Sequence, residues 1–219
     1  MLLASTINVV RLYFYLLAFI YTSIGNAIVL FYSWPIFVFL IEVKYYKRPL
    51  LKEQVGLLFL AFVGMAVTYS DKSFSFENND MIGMVAAVLC AFGYAITVVM
   101  FKSESHYYTQ NQTIVYQNLI SSVFFIPFLF FLPAVEWEQI GLGVFYGFWI
   151  GIVVFQLFFY GLKHLPASTA SGLMYIEIIS AIALGYFVRN ETLSINTVLG
   201  GILILISSFL ITRLNTKKG

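Results

Sequence analysis

Residues 165–208 read LPASTASGLMYIEIISAIALGYFVRNETLSINTVLGGILILISS. Two apolar, small-residue runs, 168–187 and 195–212 (the second continuing past the quotation), are parted by the short charged stretch VRNETLS (188–194). Each is close to the roughly 20 residues that a helix needs to cross a bilayer. The quoted stretch is therefore a helical hairpin in a membrane. Near the middle of its first helix stands a carboxylate, Glu177, and a charge at the bilayer centre costs about 2.5–3.5 kcal/mol on insertion scales. Such a residue faces the bundle interior, a partner or a water-filled cavity, never lipid alone.

The rest of the chain extends this reading. Of its 219 residues, 61% are hydrophobic and 10% charged, with a mean hydropathy of +0.90. Ordinary soluble domains carry about 25% charged residues, so there is too little charge here to cover a water-facing surface and the bilayer is the solvent. Cys90 is the single cysteine, which excludes an internal disulfide and a Cys-based zinc site; in its apolar run it reads as a small buried side chain. His106 and His164 lie in separate loops without metal-ligand spacing. No Walker loop, dinucleotide fingerprint, zinc-protease motif or nucleophile elbow is present, so neither metal nor cofactor is expected, and the scattered basic residues form no nucleic-acid surface.

Breaking the sequence at polar and Gly/Pro clusters yields eight apolar segments, at 2–20, 24–42, 53–70, 81–101, 113–132, 141–161, 168–187 and 195–212. The first lacks a basic region ahead of it and a cleavage site, so it reads as a retained helix rather than a signal peptide. Nine of the twelve Lys and Arg fall in loops on one side, against Lys72 and Arg189 on the other, with Arg11 inside a span. The positive-inside rule then puts both termini in the cytoplasm, and the expected location is a bacterial cytoplasmic (inner) membrane. The loops are too short for a nucleotide-binding domain, so any transport is secondary or driven by the substrate's own gradient.

An internal repeat is visible as well. YTSIGNAIVLFYSWPIFVFLIEVKYYKRPLLKEQVGLLFLAFVG (21–64) matches 165–208 in order: a small-residue helix start, an aromatic before a mid-helix polar or Pro position, a short charged loop, and a Gly-bearing helix. With the topology above the two copies are inverted, and their offset of about 144 residues corresponds to five helices. Only three helices stand in the first copy, which leaves residues 1–70 as an incomplete first repeat, 81–212 as a second repeat of five helices and 213–219 as a basic cytoplasmic tail.

The stretches 21–40 and, more strongly, 158–205 resemble the EamA-like permeases of the drug/metabolite transporter superfamily. The second is similar to the family's aromatic-Ala/Gly-Leu-Lys-x-Leu-Pro-Ala, Leu-Glu-Pro, Gly-Glu-x-Leu and Gly-Gly pattern. The resemblance implies an all-α polytopic fold of ten helices in two inverted repeats of five, of which this chain has the last eight. It departs from the pattern in three ways: Lys47 or Arg48 stands where the first repeat's loop Glu is usual, Ile178 replaces the Pro after Glu177, and the first two helices are missing. With Ile178 in place of Pro, a straighter helix is expected there.

Candidate site residues follow. Glu177 reads either as a cavity carboxylate that binds a cationic or amine-bearing solute or takes up a proton, or as an interhelical hydrogen-bonding residue, with Ser180 in reach of it on the same face. Arg11 either binds a carboxylate or Glu177 in the cavity, or snorkels to the cytoplasmic face; the second is the expectation. In GNAIVLFYSWP (25–35), Pro35 removes a backbone hydrogen bond, and the freed carbonyl must find a neighbour or a cavity. Asn26, Tyr32 and Trp34 there, and Tyr175, complete the expected substrate-binding set. Gln117, Asn118 and Gln156 read as interhelical glue, the many aromatics as lipid-facing and interfacial residues, and Arg189 with Glu191 as a surface pair.

The reading is a secondary transporter of small organic metabolites or drugs, not an enzyme, working by alternating access with a small-molecule substrate and membrane lipid as its partners. Two rivals stand beside it. One is a truncated, non-transporting fragment or scaffold of a ten-helix permease, which a homo-oligomer or a partner carrying the missing helices would complete. The other is a membrane-embedded enzyme, which lacks the second convergent group that catalysis needs.

Overall fold

The computed structural model describes residues 1–47, 52–70, 80–131, 137–189 and 194–216. Arg48, Lys72, Lys217 and Lys218, which enter the charge count above, lie outside them, as do Glu191 and the side chain of Arg189. All regular structure among the described residues is helical: α1 Leu2–Tyr21, α2 Ile24–Phe31, α3 Trp34–Tyr45, α4 Lys52–Thr68, α5 Asp80–Glu104, α6 Gln110–Phe125, α7 Trp137–Phe148, α8 Phe155–His164, α9 Ala167–Leu173, α10 Ile176–Arg189 and α11 Ile195–Thr216. A 3₁₀ segment, Ile126–Phe131, extends α6, and a π-helical segment, Trp149–Val154, joins α7 to α8.

This is an integral membrane protein. Five stretches among the described residues are long and apolar enough to cross a bilayer: Leu2–Tyr21, Ile24–Tyr45, Asp80–Glu104, Trp137–His164 and Ala167–Val188. The other three expected spans differ for local reasons. Helix α4 has 17 residues and opens on Lys52, Glu53 and Gln54. Helix α6 starts at Gln110 because Thr109 and Gln112 form a capping box, Thr109 N donating to Gln112 Oε1 (2.9 Å) and Gln112 N to Thr109 Oγ1 (3.3 Å). The apolar part of α11 is Ile195–Ile211.

Small residues set the packing. On α5, Gly83, Ala86, Ala87, Cys90, Ala91 and Ala95 are buried at helical spacing, a stripe that lets a neighbouring backbone come close. Helix α1 lies along it and also touches α6, while α4 lies along α11 and α3 bridges α5 and α9. One end of the bundle holds the chain start, where the Met1 ammonium meets Glu104 at 3.5 Å. The opposite end holds the start of α11, where Asn196 Nδ2 donates to Ser70 Oγ (3.1 Å). We refer to these as the terminal end and the far end. No residue of α7 is buried, and apolar side chains from Trp137 to Phe148 are exposed along it.

Candidate functional site

The site is built on two broken helices that run in opposite directions. Between α2 and α3, Pro35 has no N–H to give, and Ile36 N and Phe37 N both turn to Ser33 O (3.0 and 3.3 Å). The Tyr32 carbonyl, left without its helical donor, receives the Tyr175 hydroxyl at 2.7 Å. Tyr175 itself lies in the second break, between α9 and α10. There Met174 N, Tyr175 N, Glu177 N and Ile178 N each donate three residues back, to Ser171 O, Gly172 O, Met174 O and Tyr175 O (3.1, 3.4, 3.0 and 3.1 Å). The helix is therefore broken without a proline, contrary to the straighter course expected from Ile178. Tight packing accompanies the break, since a Cβ on Gly172 would sit 3.0 Å from Leu58 and 3.2 Å from Ile211.

Because Tyr175 is fully buried and its hydroxyl satisfies a carbonyl inside the bundle, Tyr175→Phe should cost about 0.6–1.7 kcal/mol, the range of hydrogen bonds in membrane interiors. Unfolding in mixed micelles measures this; a variant as stable as the parent would mean that the bond contributes nothing.

Around the breaks lies a cavity of about 510 Å³, with Arg11, Tyr15, Tyr32, Trp34, Tyr94 and Glu177 among its lining residues. It reaches Phe19, near the end of α1, and Tyr69, just past α4, so it extends from mid-bundle to the far end. Glu177, at the start of α10, is exposed to this space and stands beside the Tyr32 hydroxyl. Arg11 is buried on the opposing side. Its Nε donates to Asn8 Oδ1 (2.8 Å), and its guanidinium stands 4.0 Å over the Tyr94 ring. The snorkelling expected of Arg11 does not occur: α1 runs helical from Leu2, and Asn8 and Tyr94 hold the charge at mid-bundle. Arg11 and Glu177 line the same cavity, and among the described residues no ion pair joins them.

The expected site residues divide. Glu177, Tyr32, Trp34 and Arg11 line the cavity. Tyr175 lies behind the wall as its brace, and Asn26 is buried with its amide donating to Thr22 Oγ1 (3.1 Å). Ser180, expected within reach of Glu177, donates instead to Ile176 O (3.3 Å). Asn118 does act across helices, its Nδ2 donating to Gly151 O (3.1 Å) in the π-helical segment, from which Ile150 and Val154 reach the cavity. Sequence reasoning missed that segment and the wall aromatics Tyr15, Tyr94 and Tyr146, because a Tyr within an apolar run gives no sign of the side it faces. His106 and His164 are exposed, the latter with Nδ1 2.8 Å from Tyr160 O. Cys90 is buried beside Arg11.

The pattern of residues 81–213 matches that of the EamA-like transporter family. This chain belongs to that family. Its relatives include an uncharacterized transporter of Archaeoglobus fulgidus, 29% identical over 87% of this chain and 68% of its own length. Another is the uncharacterized transporter YoaV of Bacillus subtilis, 24% identical over 86% of this chain and 66% of its own length. The chain thus spans about two thirds of these curated relatives. A solved crystal structure, 18% identical, superposes with a TM-score of 0.79 over 94% of this chain and 74% of that one, so the EamA-like chain shares its fold. The family is one of transporters rather than enzymes, and among the described residues no three His, Cys, Asp or Glu gather to hold a metal.

Proposed function

We propose that this EamA-like chain is a secondary transporter that carries small zwitterionic organic molecules, α-amino acids foremost, by alternating access. The observation that carries the reading is the placing of one cation, Arg11, and one anion, Glu177, on the same cavity with no ion pair between them. In a low-dielectric site each charge gains from a partner. A zwitterion supplies both at once, its carboxylate to Arg11 and its ammonium to Glu177, and stays neutral overall. The aromatic walls accept an apolar side chain and favour cations over their faces. A lipophilic cation satisfies Glu177 only.

Competition in proteoliposomes tests this. An aromatic amino acid should displace labelled substrate about 10-fold better than its methyl ester or its N-acetyl form, each of which lacks one charge. In Arg11→Gln the free acid and the ester should become equal competitors. An ester that competes as well as the acid in the unsubstituted protein would sink the zwitterion reading and favour cations.

In this reading the expected segments form eight spanning helices, three from a first five-helix repeat (1–70) and five from a second, inverted one (81–212), with both termini and the tail 213–219 in the cytoplasm. The antiparallel course of the two broken helices, the pairing of α4 with α11 and the excess of basic residues in the terminal-end loops support it. One archaeal and one bacterial relative support a prokaryotic cytoplasmic membrane. A second reading, in which this stretch moves solute only together with further helices, is favoured by the bare outward face of α7 and the greater length of the relatives. Flux in proteoliposomes by this sequence alone decides between the two.

A further inference from the structure

The cavity stops well short of the terminal end. Its lining residues nearest that end are Arg11, Trp34, Tyr94, Phe158 and Met174, which lie roughly 9–16 Å along their helices from it. Buried side chains, among them Val38, Val98, Phe101, Phe159 and Leu162, fill the space between. A solute in the cavity therefore has no path to the terminal end in this conformation.

Across that closed layer, polar side chains hold one short piece of chain. Glu42, near the end of α3 and 3% exposed, accepts hydrogen bonds from Ala167 N (3.0 Å, Oε1) and Ser168 N (2.8 Å, Oε2), the first residues of α9. Gln54 on α4 donates to Ser168 Oγ (3.1 Å). On the other side of the Pro166 corner, the Lys102 ammonium donates to Leu162 O and Lys163 O (2.7 and 3.0 Å). Helix α9 is seven residues long and ends at the Met174–Tyr175 break, beside Glu177. It is thus a lever of about 10 Å, clamped at one end by Glu42 and Gln54 and hinged at the other against the cavity. Charge-assisted hydrogen bonds of this kind are about twice as strong as neutral ones, and both N–H groups lack intrahelical acceptors.

We propose that Glu42, with Gln54, is a latch that holds α9 shut against α3 and α4 and must release before solute leaves the cavity toward the terminal end. The latch rests on the transport reading for its purpose, while its geometry is independent of substrate. Helix α9 joins the break beside Glu177 directly to the Glu42 clamp, which gives solute contact at Glu177 a route to the latch. The gate bonds contain no contact to the cavity itself, so loss of the latch alters access and leaves the cavity charges in place.

Sided labelling tests it. In a Cys90→Ala background, Met174→Cys is labelled with a membrane-impermeant thiol reagent from each side of proteoliposomes whose orientation is read from a C-terminal tag. With the latch intact, labelling comes from the far side. In Glu42→Ala, labelling from the terminal side should rise about 10-fold while far-side labelling falls. Gln54→Leu, which keeps the carboxylate clamp, should move both rates the same way by less, and gives a measurement even if Glu42→Ala does not fold. Unchanged sidedness in both variants overturns the latch. A rise from both sides at once also overturns it, because that marks loosened packing rather than an exchange of openings. If Met174→Cys is shielded from both sides in the unsubstituted protein, the cavity is no access path and the transport reading fails along with the latch; normal far-side labelling with unchanged variants fails the latch alone.

Discussion

Glu177→Gln lowers flux of the preferred zwitterion by about 10- to 100-fold, because the charge-assisted contact with a substrate ammonium, worth about 1.5–3 kcal/mol, is replaced by a neutral one. Fold and insertion should be unaffected. Beside the carboxylate stands the Tyr32 hydroxyl, and an amide oxygen still accepts from such a donor. The side chain is exposed to the cavity, so no packing is lost. Counterflow in proteoliposomes at matched protein content, together with unfolding in micelles, separates binding from stability. Flux within about threefold of the parent would return Glu177 to a bundle-holding role. Against an N-acetyl substrate, which carries no ammonium, Glu177→Gln should change nothing or help.

The second large effect concerns the pairing of α4 with α11. A Cβ on Gly200 would lie 2.7 Å from Thr68 N and closer still to Thr68 Oγ1 and Gly64 O. Two of those three atoms are backbone and have no rotamer to move to, so Gly200→Ala must part the helices. Its cost is expected at about 3 kcal/mol, the upper part of the range for overpacking. Gly56 on α4 supplies the control, since nothing lies within 4 Å of its added Cβ; there Gly56→Ala should be neutral or stabilise by up to about 1 kcal/mol through helix propensity. Unfolding midpoints of the two variants in the same micelle provide the comparison. Equal midpoints would mean that the close approach of α4 and α11 does not hold the bundle.

Much of this was open to inspection along the chain. Apolar run length and the scarcity of charge bring out the membrane helices, because lipid forces every backbone polar group to be satisfied within a helix and leaves few other arrangements. The family shows in the stretch around LKHLPASTASGLMYIEII, and the kink at Pro35 shows in a residue that lacks a donor. Glu177 stands out for the same kind of reason: an acid in an apolar helix must be met by something.

Arg11 shows where such reasoning ends. Its charge and depth along the chain are compatible with reaching water or with staying at mid-bundle, and what holds it inside is Asn8 at one turn's distance together with the Tyr94 ring on another helix. Tyr175 is similar: its neighbours place it beside Glu177, but its hydroxyl is taken by a carbonyl 143 residues away. Glu42 stands beside a basic loop with nothing in its neighbours to mark it, and only the fold brings the start of α9 onto it. Solvent, helical character and family are legible in the residues alone, since these follow from composition and from periodicities a few residues long. Which side chains meet across the cavity, where the second helix breaks and which end of the bundle is closed were decided only by the tertiary structure, because each depends on partners far apart in the chain whose rotation about their helix axes no local pattern encodes.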